Sequence, residues 1–187
     1  MRFAHPTRLQ RGFTLIELLI VVIILAILAA IVIPQFASTT GDAKEGALDA
    51  NLSTMRSAIE LYKVQHQNNY PGVAASGTAP TCTGTKGATA AGAQAVIDQL
   101  TLASDANGNT CTGADTNYRF GPYFRGALPA DSITGKGAAV GDIVVTTAGT
   151  PLAPAAATGG WAFDSKSGQL VMNSNALDIK GKAYSTH

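Results

Sequence analysis

An uninterrupted apolar run near the N-terminus limits what this chain can fold into more than any other feature. From Leu18 to Ile33 the sequence LLIVVIILAILAAIVI carries no charged or polar side chain. Together with FTLI before Glu17, the segment approaches the roughly 20 residues that a helix needs to span a bilayer. We therefore predict one membrane-spanning helix at this end of the 187-residue chain, followed by one globular head.

The charged residues around the apolar run predict its orientation. Three arginines precede it, and removing them from the 13 basic residues leaves 10 against 12 acidic ones, a net charge of −2 for the rest (Arg2, Arg8 and Arg11). The positive-inside tendency then places the N-terminus in the cytoplasm and the head on the opposite side. The slightly acidic remainder argues against nucleic-acid binding, since Arg119 and Arg125 alone make no basic patch.

Glu17 interrupts the apolar residues at the start of this segment. A charge at the bilayer centre costs about 2.5 to 3.5 kcal/mol, and a charge near the interface costs less. The simplest interpretation of Glu17 is therefore an interfacial glutamate without a partner. Gly12 stands between the short basic leader and Phe13, the first residue of the apolar region. A conventional secretory cleavage site after the run, near Ala37 and Ser38, is the competing interpretation.

The stretch RGFTLIELLIVVIILAILAAIVIPQF, residues 11–36, resembles the N-terminal processing signature of type IV pilins and type II secretion pseudopilins. The resemblance implies that a prepilin peptidase cleaves between Gly12 and Phe13 and that Phe13 becomes N-methylated. It also implies an inner-membrane subunit that an assembly platform and an ATPase motor build into a helical homo-oligomeric filament.

Cleavage at Gly12 would create a basic amine at Phe13, four residues before Glu17. Residues four apart share one face of a helix, so the amine and the carboxylate can compensate each other within one subunit. The family resemblance implies instead that Glu17 meets the Phe13 amine of a neighbouring subunit. Because proline interrupts the hydrogen bonds of a helix, Pro34, at the outer end of the apolar run, can act as a kink or local melt, and we count it with Glu17 as a candidate assembly residue.

An amphipathic helix is expected to continue from the apolar run into the head. Apolar residues recur at steps of 4, 3, 4 and 3, which predicts a buried stripe packed against a sheet (Leu48, Leu52, Met55, Ile59 and Tyr62). The sequence NNYPG, residues 68–72, is expected to stop the helix near Gln67. His66, among glutamine and asparagine, is expected to face solvent.

The head is expected to combine loops with a few strands. Residues 72–92 read as a surface loop, 93–100 as a short helix, 142–149 as a strand, and 161–173 as a hairpin that turns at SKSG. These elements predict an α+β, pilin-like fold with the long helix packed against a small antiparallel sheet. Cys82 and Cys111 favour a disulfide in an exported chain, with buried reduced thiols as the alternative.

Little in the head indicates a cofactor or an active site. Asp131, Asp142 and Asp164 carry oxygen ligands that suit calcium, but dispersed aspartates are usually solvated, so no cofactor is predicted. The chain offers no serine elbow, paired catalytic carboxylates or phosphate-binding loop, so no enzyme is predicted. The GPYF, LP and TG motifs of residues 121–135, followed by GGWAFDSKSGQLVMN, resemble the heads of major pseudopilins.

Four segments follow from these interpretations: a cleaved leader (1–12), a membrane and filament-core helix (13–34), an amphipathic helix (35–67) and a head (68–187). The favoured function is a filament subunit, the major pseudopilin of a type II secretion system, first anchored in the inner membrane with its head in the periplasm. A type IV pilin for adhesion, motility or DNA uptake is the nearest alternative. A membrane-tethered module that binds a ligand through residues 72–135 and an anchored enzyme are more distant ones.

Overall fold

The computed structural model describes residues 12–187, apart from the side chains of residues 37 and 38. The predicted leader therefore lies outside the described residues, except for Gly12. The chain divides into two compact units after Gly41, and the second unit extends from Asp42 to His187. Each unit is considered by itself below.

Helix α1, Leu15–Gln65, contains the whole apolar run and continues past Pro34. Because proline lacks an amide hydrogen, Pro34 removes one hydrogen bond from the helix without ending it. Among the described residues, α1 is the one helix that is long and apolar enough to cross a membrane.

The later part of α1 forms one wall of the head core. The predicted stripe from Leu48 to Tyr62 is confirmed, because all five of its side chains are buried. The helix ends at Gln65, two residues earlier than expected. Gln67 and Asn68 then adopt left-handed conformations (φ 55° and 65°), and the Asn68 amide donates to the Lys63 carbonyl at 3.0 Å. This turn satisfies a carbonyl at the helix end.

Short strands and a second helix complete the head. The predicted short helix is confirmed as α2, Ala93–Thr101, and is followed by the antiparallel pair β1, Ala103–Ser104, and β2, Thr110–Cys111. A three-stranded sheet has the order β3, Ile143–Thr146, β4, Trp161–Asp164, and β5, Leu170–Met172. Two 3₁₀ turns lie at Val140–Asp142 and Tyr184–Thr186.

The sheet differs from the expectation in the direction of one strand. The hairpin of β4 and β5 is antiparallel, as predicted, but β3 pairs parallel to β4, with Ile143 opposite Trp161. A parallel pair needs a crossover of about a dozen residues or more, and the chain supplies one in residues 147–160. The fold class is nevertheless confirmed as α+β, a long N-terminal helix with small antiparallel pairings.

One core joins α1, α2 and the three-stranded sheet. Trp161 and Phe163 of β4 are fully buried and lie in the same cluster as the α1 stripe, Val96 and Leu100 of α2, and Met172 of β5. Even Asp164, at the end of β4, is buried. The head therefore folds around the part of α1 that follows Gly41.

Candidate assembly site and the polar groups of the head

Thr14 and Glu17 form a capping box at the first turn of α1. The Thr14 hydroxyl accepts a hydrogen bond from the Glu17 amide at 3.2 Å, and the Glu17 Oε2 atom accepts one from the Thr14 amide at 2.9 Å. The Thr14 hydroxyl also donates to the same carboxylate oxygen at 2.8 Å. Reciprocal bonds of this kind satisfy amides that the helix itself leaves free.

This box gives Glu17 a partner within its own subunit. The carboxylate that the sequence marks as costly in lipid is hydrogen-bonded by Thr14, while Phe13, next to it, is exposed. Thr14 was missed by the sequence reasoning, although the spacing T-x-x-E in TLIE is a readable capping signal.

The apolar side chains of the first part of α1 are all exposed. Every large apolar side chain from Leu15 to Ile33, and Phe36 after Pro34, is at least two-fifths exposed. Monomeric soluble proteins rarely expose a contiguous apolar surface of this extent, so the segment requires lipid or other protein around it.

A disulfide joins Cys82 to Cys111. The two Cα atoms lie 5.8 Å apart, within the range that disulfides require. Cys111 lies on β2 and is buried, and it also forms an isolated bridge with Lys86. The bond therefore fixes the loop of residues 72–92 to the β1–β2 pair.

The three aspartates considered for calcium bind backbone amides instead. Asp131 accepts hydrogen bonds from the amides of Ile133, Thr134 and Gly160, and Asp164 accepts them from Gly149 and Lys166. Asp142 accepts hydrogen bonds from the amides of Gly137 and Ala139. Within the described part of the chain, no group of three or more His, Cys, Asp or Glu side chains is placed to hold a metal ion.

The electrostatics of Asp131 reflect these bonds. Burial alone would raise the pKa of its carboxyl group, but the hydrogen bonds from Thr134, Gly160 and Ile133 outweigh that effect and hold the pKa below its ordinary value. Asp131 is therefore ionised, and its hydrogen bonds hold the loop that leads to β4.

The prediction that His66 faces solvent is wrong. Its side chain is 1% exposed, and its ring stacks on Tyr62 with 3.7 Å between centroids. Nδ1 donates to the Tyr62 carbonyl at 2.7 Å, which leaves Nε2 to accept from the Ser104 hydroxyl at 3.0 Å. Burial lowers the pKa of the imidazole. Although this is a Ser–His pair, Ser104 is fully buried, so the pair is structural.

Comparisons with known proteins find a family motif in the N-terminal segment and several relatives. The prokaryotic N-terminal methylation motif covers residues 7–33. The type II secretion system core protein G of Pseudomonas aeruginosa is 42% identical over 59 residues, which are 32% of this chain and 42% of that protein. The type IV narrow pilus major component PilA5 of Thermus thermophilus is 46% identical over 55 residues, 29% of this chain and 47% of that protein.

A third relative extends the similarity to fimbriae. The type IV major fimbrial protein FimA of Dichelobacter nodosus is 50% identical over 52 residues, 28% of this chain and 33% of that protein. The chain thus spans less than half the length of these relatives. No solved structure matches the chain. The methylation motif and these relatives thus show that the N-terminal segment is similar to those of type IV pilins and of type II secretion core protein G.

Proposed function

We propose that this chain is a structural, non-enzymatic subunit of a type IV pilus-like filament. The observation that carries the proposal is a methylation motif that leads directly into a helix whose apolar side chains are exposed. Cleavage between Gly12 and Phe13 would expose the capping box at the very start of the mature chain. The relatives are a secretion-system core protein, a major pilus component and a major fimbrial protein, which supports a role without catalysis.

Assembly would replace lipid around the apolar helix by copies of the same helix. Lipid tails are as apolar as leucine, so moving apolar side chains from lipid to a helix interface changes the free energy little. Side-chain packing and polar contacts therefore determine the axial offset between neighbouring helices. We infer that Glu17 fixes this offset by pairing with the methylated Phe13 amine of a neighbouring subunit. Pro34, with its missing hydrogen bond, is the position where α1 would adjust during assembly.

The same proposal specifies location and partners. The subunit would wait in the inner membrane as a single-pass protein, with its N-terminus in the cytoplasm and its head in the periplasm. A prepilin peptidase would process it, and an inner-membrane platform with an ATPase motor would extract it into the filament. The arginines before the apolar run support this orientation.

Neutralising Glu17 tests the assembly role directly. In the Glu17→Gln variant we expect normal cleavage and membrane insertion but no sheared filaments, because the partner of the Phe13 amine has lost its charge. Glu60→Gln is the matched control, since Glu60 is a carboxylate of the same helix with a side chain that is 59% exposed. Filaments from Glu17→Gln at the level of the control would contradict the proposal.

Mass spectrometry of the mature N-terminus tests the processing. We expect the mass of a chain that begins at Phe13 and carries one added methyl group. An unprocessed Met1, or a new N-terminus near Ser38, would refute the predicted cleavage.

Within filament proteins, we favour the major pseudopilin of a type II secretion system. The resemblance of the 121–135 and 159–173 segments to pseudopilin heads supports this choice, whereas the relatives include proteins named for both systems. Deletion of the gene is expected to abolish secretion of exoproteins. Loss of surface filaments with secretion intact would favour the type IV pilin instead.

A further inference from the structure

A polar cavity lies in the head beside the end of α1. Its volume is about 210 Å³, far more than the roughly 10–15 Å³ that a single water needs. Its floor is made of buried groups from Tyr62, His66, Gln99 and Gly108, and its rim of exposed residues that include Asn107. The cavity belongs to the head alone and is separate from the assembly segment.

The floor contains a tyrosine hydroxyl group that lines the cavity and has no hydrogen-bond partner among the described residues. The Tyr62 side chain is 2% exposed, yet its hydroxyl makes no hydrogen bond to any of the described residues. The hydroxyl atom itself is not enclosed by protein, so a molecule in the cavity can supply the hydrogen bond that the protein does not. The neighbouring polar groups offer none, because both nitrogens of His66 are already engaged.

Gln99 is equally occupied. Its Nε2 donates to the carbonyls of Val73 and Gly108, each at 3.1 Å, and its Oε1 accepts from the Gly72 amide at 2.8 Å. The Tyr62 hydroxyl is therefore surrounded by satisfied groups and open space, with the cavity in front of it.

Gly108 keeps this space open. A Cβ atom at this position would lie 3.1 Å from both the Tyr62 hydroxyl and Gln99 Nε2, and the backbone has a φ of 81°, which favours glycine. Any side chain here would occupy the place in front of the hydroxyl.

We propose that this cavity binds a neutral, hydroxyl-rich small molecule of about the size of a sugar ring, with the Tyr62 hydroxyl as its central hydrogen-bonding group. No charged side chain lines the cavity in the described structure, and burial keeps His66 neutral, so an ion is a poor ligand. The tyrosine hydroxyl, together with the Asn69 and Asn107 amides and the Ser76 hydroxyl at the rim, both donates and accepts, as sugar hydroxyls do.

The inference is independent of filament assembly, because every residue of the cavity lies in the second unit. It assigns a ligand-binding role to part of the 72–135 region in a protein that remains a filament subunit. A processed chain that failed to polymerise would still be expected to bind.

Ligand-observed NMR tests the proposal. The probes are glucose, galactose and N-acetylglucosamine, added to the full processed chain in a zwitterionic detergent that carries no sugar. We expect saturation transfer to at least one of them, and a dissociation constant weakened by about tenfold in Tyr62→Phe, as for the loss of one good hydrogen bond.

Two further variants separate binding from folding. Tyr118→Phe is the matched control, because Tyr118 is equally buried but its hydroxyl donates to the Pro80 carbonyl at 3.0 Å, outside the cavity. It is expected to lower the melting temperature and leave binding unchanged, whereas Tyr62→Phe is expected to keep or raise the melting temperature. Asn107→Ala, at the exposed rim, weakens binding without changing the core.

Three results would overturn the proposal. The first is the absence of transfer to all three sugars, and the second is unchanged binding in both Tyr62→Phe and Asn107→Ala. The third is a crystal soaked in the sugars in which ordered waters alone hydrogen-bond the Tyr62 hydroxyl.

Discussion

His66 shows how a single polar residue comes to be buried. Its sequence neighbours are hydrophilic, which suggested exposure, but it lies four residues after Tyr62 and so continues the spacing of the buried stripe. This spacing indicated that His66 is buried, but the hydrophilic residues next to it in the sequence led to the opposite prediction. What the sequence does not show is that the hydroxyl of Ser104, 38 residues further along the chain, hydrogen-bonds the ring and so stabilises its burial.

Acidification is expected to destabilise the head through His66. Because the pKa of the folded imidazole lies below the ordinary 6.5, the folded and unfolded states bind protons equally only well above pH 6.5, where both imidazoles are neutral. As the pH falls below that value, the unfolded chain takes up a proton that the folded chain does not, so stability is lost progressively. Melting temperatures from pH 8 to pH 5, followed by the emission of the single tryptophan, would measure the loss.

His66→Gln serves as the comparison, since glutamine cannot be protonated at this position. It is expected to be less stable at pH 8 but to show a shallower decline towards pH 5. An identical slope in both proteins would mean that another group causes the pH dependence.

Thr14 is expected to hold the first turn of α1 together. Thr14→Val keeps the shape but removes the hydroxyl that bonds Glu17, and loss of an N-cap costs about 1 kcal/mol. This corresponds to about fivefold faster hydrogen exchange of the first amides of α1 in detergent. Thr14→Ser, which retains the hydroxyl, should exchange at nearly the wild-type rate, and equal rates in all three proteins would show that the box contributes nothing.

At the scale of elements, the α1 stripe was the most predictable part of the head. Period and spacing alone identified all five buried residues, because an amphipathic helix of this length leaves little ambiguity. The strands β1 and β2 were missed because each has two residues, too few for any alternation to be recognised. The direction of β3 was not predictable either, since the crossover in residues 147–160 resembles an ordinary loop.

Truncation of the stripe is expected to weaken the head far more than truncation of the opposite helix face. Leu52→Ala removes a side chain that is 1% exposed, and such changes cost about 2 to 5 kcal/mol. Leu61→Ala, in the same helix but 50% exposed, should cost less than half of that. Urea unfolding of both variants measures the difference, and similar costs would place the core on the wrong face of α1.

The two units of the molecule differ in whether their apolar side chains are exposed or buried. The long exposed apolar side chains are concentrated before Gly41, whereas the unit from Asp42 to His187 has its own core and the Cys82–Cys111 bond. The sequence indicated both halves, because an apolar run and an amphipathic stripe are local patterns. It did not indicate the cavity beside Tyr62, which arises where α1, α2 and two loops meet.

A chain of residues 42–187 is therefore expected to fold without detergent. We expect a monomer by light scattering, with the blue-shifted emission of a buried Trp161, whereas the chain from Phe13 onwards should aggregate unless detergent is present. Aggregation of the 42–187 chain, or emission typical of exposed tryptophan, would show that the head depends on the preceding part of α1.

The parallel pairing of β3 with β4 also affects the order in which the head is built. Within the hairpin, Phe163 and Leu170 are close in sequence and can pair as soon as both have been synthesised, whereas Ile143 must wait for Trp161 across a long loop. Contacts between distant residues form late, because closing the loop between them loses chain entropy before the contact contributes any stabilisation. The first strand of this sheet to be synthesised is thus expected to join it last, and an unpaired β3 is the segment of a partly folded head that neighbouring chains would contact.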